Sequence, residues 1–225
     1  MANLAAAGTA PRVIADIGCG RGTTTLQLAR RFPAAQLVAA DLSPPLLRTA
    51  RQRLPSGVTT VCADFHHLPF ADGCLDVAVA AFCLYHSSRP SLVVAEVARS
   101  LVPGGRAVLV AKSADSYHEL DALVAASGLD PAARRRPSLY ASFHSGNAAR
   151  IVGRQLVVRR VVHQRHIFRF TNLAHLAGYL ATSPKYQLPT AAADPQALGA
   201  LLRSRLGERT VTTTSTVTYV EAVRP

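Results

Sequence analysis

Three acidic residues, Asp16, Asp41 and Asp64, stand at the ends of three consecutive segments that are predicted to be β-strands. Asp16 comes two residues before the glycine-rich run Gly-Cys-Gly-Arg-Gly at residues 18–22. Glycines let the backbone turn sharply there and let a ligand approach the N-terminus of the following helix. Because the carboxyl ends of parallel strands meet at one edge of a sheet, the three carboxylates are predicted to face a common ligand.

The spacing of these residues indicates which ligand groups each acid could bind. Asp16 can face a cationic group, Asp41 can accept from both hydroxyls of a ribose, and Asp64 can accept from an adenine amino group. Apolar Leu42 and Phe65 could flank the purine. The glycine spacing is GxGxG with threonine at position 23, so the third glycine of the dinucleotide pattern is missing and a nicotinamide dehydrogenase is disfavoured.

The elements that must position these residues alternate along the chain. Short apolar, β-branched runs alternate with amphipathic stretches, which is typical of a parallel sheet wrapped by helices. Strands are predicted at residues 12–17, 36–41, 58–63, 75–84, 106–111, 156–170 and 210–223. Helices are predicted at residues 23–31, 44–54, 91–101, 116–127, 142–152, 172–181 and 195–206. The pattern predicts an α/β protein with one Rossmann-like, doubly wound, seven-stranded sheet.

Composition excludes several classes of protein. The chain has 225 residues, of which 49% are hydrophobic and 17% charged, so it is not disordered. It has no apolar run of 18 residues, which argues against a membrane span, and no basic segment before an apolar run at its start, which argues against a signal peptide. The cysteines show no CxxC spacing, and we expect reduced thiols in a cytoplasmic protein.

The positive charge of the chain is unevenly distributed. The formal net charge is +12, and residues 131–193 contain ten lysines and arginines and no acidic residue. One explanation is an arginine-rich genome. The other is attraction of an acidic substrate, a phosphate-bearing partner or nucleic acid.

Residues 13–111 resemble the class I S-adenosylmethionine-dependent methyltransferases of the small-molecule type. The resemblance rests on Asp-Ile-Gly-Cys-Gly-Arg-Gly at 16–22, Asp41, Ala-Asp-Phe at 63–65, Leu-Pro-Phe at 68–70, Asp-Val-Ala-Val-Ala at 76–80 and Val-Pro-Gly-Gly-Arg at 102–106. It implies S-adenosylmethionine as cofactor and a last strand that is antiparallel and inserted beside the fifth. It also implies one domain over residues 1–225, with a cofactor-binding half at 12–112 and a substrate-side half at 113–225. The cofactor-binding residues would be Asp16, Gly18, Cys19, Gly20, Asp41, Leu42, Asp64, Phe65 and Ala81.

Acceptor-side residues are predicted in two segments. In small-molecule members of the family, the end of the fourth strand faces the acceptor, which makes His86 a candidate base or orienting group and Tyr85 a candidate wall residue. Both could instead be structural, His86 as a loop cap and Tyr85 as packing. Tyr140, Phe143 and His144 mix apolar area with polar tips, as a substrate wall would, and His144 is a second candidate catalytic residue. No set of residues has metal-ligand spacing.

The expected function is methyl transfer to a small molecule, which could be acidic, in specialised metabolism. One alternative is methylation of RNA or another phosphorylated target, motivated by the basic stretch. Another is a non-catalytic cofactor-binding subunit, motivated by a first strand that begins directly after Pro11. The segment that closes over the cofactor would come from residues 117–147, from a partner subunit, or be absent. The protein could also form a homo-oligomer.

Overall fold

The computed structural model describes residues 10–183, 185–188 and 194–225. Residues 1–9, for which we predict no signal peptide, lie outside this range. The chain divides into two compact units. The first contains the described residues through Lys112, Ser142–His163 and Thr218–Pro225, and the second contains Ser113–Ala141 and the described residues of Gln164–Val217.

Strands and helices alternate along the chain. The strands are β1 (Val13–Ile17), β2 (Gln36–Asp41), β3 (Val58–Cys62), β4 (Leu75–Ala81), β5 (Leu101–Lys112), β6 (Val157–Phe170) and β7 (Val211–Val223). The helices are α1 (Thr23–Arg31), α2 (Pro44–Arg53), α3 (Pro90–Ser100), α4 (His118–Ala126), α5 (Ala148–Val152), α6 (Leu173–Ala181) and α7 (Pro195–Leu206). No helix of the described residues is long and apolar enough to cross a membrane.

Over the described residues, the strands form one seven-stranded sheet in the order β3-β2-β1-β4-β5-β7-β6. Strand β1 pairs in parallel with β2 and β4, and β3 and β5 extend the parallel sheet on either side. The last strand is antiparallel and lies beside the fifth, so the predicted fold class is confirmed. This order places the topological switch point between β1 and β4, where ligands bind in open α/β sheets.

The main core of the first unit forms where the central strands are buried on both faces. Ile14, Ala15 and Ile17 of β1 are each 0% exposed, and α3 packs Val93 and Val97 against the same core. Strands that are buried on both faces need continuous apolar sequence, which explains why these segments read as unbroken hydrophobic runs.

The second unit has its own core, built from α4, α6 and α7. Beside it, the carboxylate of Asp130, which is 3% exposed, is paired with both guanidinium nitrogens of Arg136 and accepts from the backbone N–H of Gln187. This pairing lowers the pKa of Asp130 below its usual value. Arg136 therefore has a structural role, whereas Arg134 and Arg135 are exposed.

Most predicted boundaries lie within a few residues of the observed ones, and the largest differences concern α5, β5 and β4. Helix α5 begins at Ala148 rather than at 142, since His144 donates its N–H to Asn147 Oδ1 in the turn that precedes the helix. Strand β4 ends at Ala81 rather than at 84, because Phe82 adopts a left-handed backbone conformation with φ of 56°. Strand β5 begins at Leu101 rather than at 106, since Gly104 donates to Arg224 and Arg224 donates to Gly105, which extends pairing through the predicted turn. The single-domain organisation with halves at 12–112 and 113–225 stays a prediction.

Candidate functional site

A cavity of about 480 Å³ opens in the first unit at the carboxyl ends of β1, β2, β3 and β4. Its size is within the usual range for small-molecule sites. The lining residues come from the segments that follow these four strands. They are Ile17, Gly18, Gly20, Ala40, Asp41, Leu42, Ser43, Leu46, Ala63, Asp64, Phe65, His66, Leu68, Phe82, Cys83 and His86.

Asp41 connects the glycine turn to the start of α2. Its Oδ2 accepts from the backbone N–H of Gly20 at 2.8 Å, and its Oδ1 accepts from the N–H of Ser43 at 2.9 Å. Ser43 caps α2 by accepting from the N–H of Leu46. Each carboxylate oxygen has a second lone pair, so Asp41 can still accept from two ligand hydroxyls while it holds the turn.

The segment after β3 is held from below by α3. Glu96 accepts from the N–H of Leu68 at 2.9 Å, and Arg99 donates to the carbonyl oxygens of Leu68 and Phe70 at 3.2 and 2.8 Å. Glu96 and Arg99 are also paired with each other at 2.9 Å. These bonds fix the backbone of Leu68 and Phe70, which follow Asp64 and Phe65 in the same segment.

Asp16 lies beneath the cavity lining and is 1% exposed. Its Oδ2 accepts from Thr25 Oγ1 at 2.6 Å, whereas Oδ1 is buried without a hydrogen-bond partner among the described residues. Burial raises the pKa of Asp16 to about 7, which the Thr25 hydrogen bond only partly offsets. An unpartnered buried carboxylate oxygen beside the glycine turn fits a ligand that carries a cationic group.

The raised pKa of Asp16 predicts how stability depends on pH. Between pH 4 and 7 the folded protein binds more protons than the unfolded chain, so the free energy of unfolding should fall as pH rises through this window. We expect a loss of about 2 kcal/mol from pH 5 to 7 that is absent from Asp16→Asn, whose side chain can still accept from Thr25. Urea unfolding of both proteins at pH 5, 6, 7 and 8, without ligand, measures the difference. Equal slopes in the two proteins would show that Asp16 does not titrate here.

Phe82 stands in the cavity wall in a strained conformation. A left-handed backbone is unusual for a bulky residue and is concentrated at functional sites. Its ring is 38% exposed, and the Lys112 ammonium lies 5.6 Å from the ring centroid. The next residue, Cys83, is 6% exposed and donates its S–H to the carbonyl of Ile17. Burial raises the pKa of the Cys83 thiol, so this thiol is a packing group rather than a nucleophile.

The structure brings most of the predicted cofactor residues together. Gly18, Gly20, Asp41, Leu42, Asp64 and Phe65 all line the cavity. Three others lie outside the lining. Asp16 is beneath it, Cys19 is 7% exposed and packs with Ala39 and Leu47, and Ala81 is held in the β4–β5 ladder opposite Val110.

Of the predicted acceptor-side residues, His86 lines the cavity and is exposed, with Tyr85 stacked at a tilt 4.3 Å from its ring. Tyr85 packs against the main core, and its carbonyl accepts from Ser142. Phe143, predicted to contact substrate, is 1% exposed within that core and is not among the lining residues. His144 accepts from the N–H of Gly146 in the turn before α5 and is also outside the lining. Tyr140 belongs to the second unit and is 7% exposed.

Two lining residues have features that the sequence did not indicate. His66 had no assigned role, yet it contacts Asp64 from within the cavity wall. Phe82, the residue directly after β4, lines the cavity, whereas Ala81 does not. A histidine directly after the predicted adenine segment was a visible signal for the first, whereas the second depends on a backbone angle that no sequence pattern specifies.

Comparisons with known proteins concern the segment that contains this cavity. Residues 15–109 match the family model described as a methyltransferase domain. The match covers 95 of the 225 residues, so it identifies this segment, rather than the whole chain, as a methyltransferase domain. The predicted family and the predicted cofactor, S-adenosylmethionine, are thereby confirmed, and the matched segment contains the whole cavity lining.

Curated relatives match a little under half of the chain. A malonyl-[acyl-carrier protein] O-methyltransferase of Herminiimonas arsenicoxydans is 39% identical over 108 residues, which are 48% of this chain and 40% of the relative. A demethylmenaquinone methyltransferase of Thermus thermophilus is 36% identical over 104 residues, or 45% of this chain and 47% of the relative. The chain thus matches less than half the length of these curated relatives.

One solved structure resembles nearly the whole chain. A candidate methyltransferase from Bacillus halodurans C-125 aligns with a TM-score of 0.66 over 98% of this chain and 95% of its own, at 16% sequence identity. At that identity the likeness concerns the fold. It extends the resemblance beyond the segment in which the sequences themselves can be matched.

Proposed function

We propose that the protein transfers a methyl group from S-adenosylmethionine to a small-molecule acceptor. The observation that supports this best is that two groups of residues line the same cavity. Asp41, Asp64 and the glycine turn, which fit the nucleoside, share a cavity of about 480 Å³ with Phe82 and His86 from the end of β4, which fit the reacting end.

The residues present fit each part of this cofactor. Asp41 would bind the ribose hydroxyls, Asp64 would accept from the adenine amino group, and Leu42 and Phe65 would flank the base. Gly18 and Gly20 leave room for close approach of the ligand because they lack a Cβ. When bound, the cofactor supplies an electrophilic methyl group on a sulfonium.

Transfer of that methyl group is an in-line displacement in which positive charge is dispersed. The protein's contribution is then to align the reactants and to exclude water. Phe82 would form the apolar wall beside the reacting end. His86 would orient the acceptor and take its proton where the acceptor enters the site protonated, since an imidazole changes protonation near neutral pH.

The class of acceptor is the finer part of the proposal. The two relatives act on a malonyl group attached to a carrier protein and on a quinone precursor, so the shared cofactor half does not specify an acceptor. The net charge of +12 favours an acidic acceptor through long-range attraction. We propose a small acidic metabolite of a biosynthetic pathway.

The first test is calorimetric titration with S-adenosylmethionine, S-adenosylhomocysteine and NAD. We expect micromolar dissociation constants for the two sulfur nucleosides and no heat with NAD, because the glycine spacing departs from the dinucleotide pattern. Acceptors with and without a carboxylate are then screened for methyl transfer by mass spectrometry. Cofactor binding without turnover on any acceptor would contradict the enzymatic proposal and favour a cofactor-binding subunit that needs a partner.

A further inference from the structure

A chain of hydrogen bonds joins two segments that both contribute to the cavity wall. In the segment after β3, His66 Nδ1 lies 2.8 Å from Asp64 Oδ1. In the segment after β4, Ser87 Oγ lies 2.8 Å from His66 Nε2 and accepts from the N–H of Arg89 at 2.9 Å. Asp64 and His66 line the cavity, and Ser87 is 2% exposed.

The protonation state of Asp64 determines which group donates in each of these hydrogen bonds. Asp64 is ionised, because its hydrogen bonds to His66 lower the pKa of its carboxyl, so it can only accept. His66 Nδ1 must therefore carry the proton and Nε2 must be an acceptor in the neutral ring. Ser87 then donates its hydroxyl proton to Nε2 while it accepts from Arg89. Every donor in the chain has an acceptor, with a single tautomer of His66.

These hydrogen bonds also determine which oxygen of Asp64 is left for a ligand. Oδ1 accepts twice from His66, from the ring and from the backbone N–H at 2.8 Å. No hydrogen bond to Oδ2 is found among the described residues, and the Asp64 side chain is 44% exposed. The ring of His66 is in turn held edge-on against Phe65, with 4.8 Å between ring centroids. Asp64 thus has one anchored oxygen and one oxygen available in the cavity.

We propose that His66 is a positioning residue that orients Asp64 for recognition of the adenine amino group and, through Ser87, orders the segment that carries His86. The proposal rests on the proposed function, whose cofactor supplies the adenine. His66 acts through Asp64 and Ser87 and takes no part in the chemical step. Binding of the base and order of the acceptor-side segment are thereby coupled through one side chain.

Substitutions of His66 can separate its contact with Asp64 from its contact with Ser87. In His66→Asn the side-chain amide nitrogen can stand where Nδ1 stands, so the Asp64 contact is kept and the Ser87 contact is lost. In His66→Gln the longer amide reaches the position of Nε2, so the Ser87 contact is kept and the Asp64 contact is lost. His66→Ala loses both. His67→Ala is the matched control, since His67 is the next residue and is exposed.

Base recognition is measured by calorimetry with S-adenosylhomocysteine and S-inosylhomocysteine, which has an oxo group in place of the amino group. We expect the wild type to prefer the adenine ligand by about 10- to 100-fold, as for a hydrogen bond to a charged acceptor. The preference should persist in His66→Asn and His67→Ala and fall by about 5- to 10-fold in His66→Gln and His66→Ala. An unchanged preference in His66→Gln would overturn the positioning of Asp64.

Order of the segment at residues 84–89 is measured by hydrogen exchange of the ligand-free protein. We expect faster exchange in His66→Asn and Ser87→Ala and near-wild-type exchange in His66→Gln and His67→Ala. A merely structural role of His66 would change exchange and base preference together in all three variants, which would overturn the proposal. If the wild type binds neither nucleoside, the proposed function fails, while the exchange experiment still decides whether His66 orders this segment.

Discussion

Replacing Asp41 with alanine is expected to weaken the binding of S-adenosylmethionine by about 100-fold, or roughly 2.7 kcal/mol. Two effects combine. The variant loses the charged acceptor for the two ribose hydroxyls, and it frees the N–H groups of Gly20 and Ser43, which are held at 2.8 and 2.9 Å. The glycine turn then keeps the bond from the Cys19 N–H to the Ala40 carbonyl of β2 and loses the one from Gly20. Calorimetric titration of the wild type and the variant measures the change in affinity.

Asp76→Ala is a matched control for this experiment. Asp76 also holds two backbone N–H groups, those of Arg12 and Val13, both at 2.8 Å. These bonds lie at the amino-terminal end of β1, whereas the cavity lies at its carboxyl end. Both variants should lose about 1–3 kcal/mol of unfolding free energy, but only Asp41→Ala should lose cofactor affinity. Equal affinity in the two variants would show that Asp41 does not bind the ribose.

Gly18→Ala should destabilise the fold by about 3–4 kcal/mol. Gly18 has a φ of +66°, a conformation that is unfavourable for residues with a Cβ, and an added Cβ would lie 2.5 Å from Cys83 Cβ and 2.8 Å from Cys83 Sγ. Cys83 is buried and cannot move aside without shifting the end of β4. Because this contact joins the glycine turn to the segment that carries Phe82 and His86, cofactor binding should be lost as well.

Gly20→Ala isolates the backbone effect from the clash. Gly20 also has a positive φ, of +56°, but an added Cβ would meet no atom within 4 Å. Its loss of unfolding free energy should stay near 1–2 kcal/mol. In addition, Cys83→Gly removes the clashing atoms, so the Gly18→Ala/Cys83→Gly double variant should be less destabilised than the sum of the two single variants. Urea unfolding of the wild type and these four variants measures the differences, and strict additivity of Gly18→Ala and Cys83→Gly would show that the two sites do not touch.

The cofactor half of the site was largely predictable because its signals are local. Glycines at 18, 20 and 22, proline at position 44 and apolar β-branched runs each constrain their own segment, and parallel strands necessarily bring their carboxyl ends to one edge. The lining residues Asp41 and Asp64 therefore follow from the positions at which their strands end. The N-cap of α2 by Ser43, next to prolines at the helix start, is equally local.

The acceptor side was less predictable because its residues are placed by distant parts of the chain. Phe143 and Tyr140 have the composition of a substrate wall, yet Phe143 fills the main core, because the turn before α5 carries it inward. The apolar run after Leu75 predicts a strand to residue 84, since hydrophobic periodicity contains no information about the backbone of Phe82. The same amino acids would be compatible with a longer strand.

By itself the sequence indicated the fold class, the cofactor and two acids that line the cavity, Asp41 and Asp64, since these depend on periodicity, turn residues and strand ends. Only the tertiary structure decided the pKa values, the hydrogen-bond partners and the backbone conformations of residues at the site. Burial raises the pKa of Asp16, contact with Ser87, 21 residues further along, joins His66 to the segment that carries His86, and a left-handed backbone places Phe82 in the cavity wall. The physical reason is the distance along the sequence over which each effect acts. Periodicity and turn signals depend on neighbours in the chain, whereas desolvation, long-range hydrogen bonds and backbone strain depend on residues that meet only after folding.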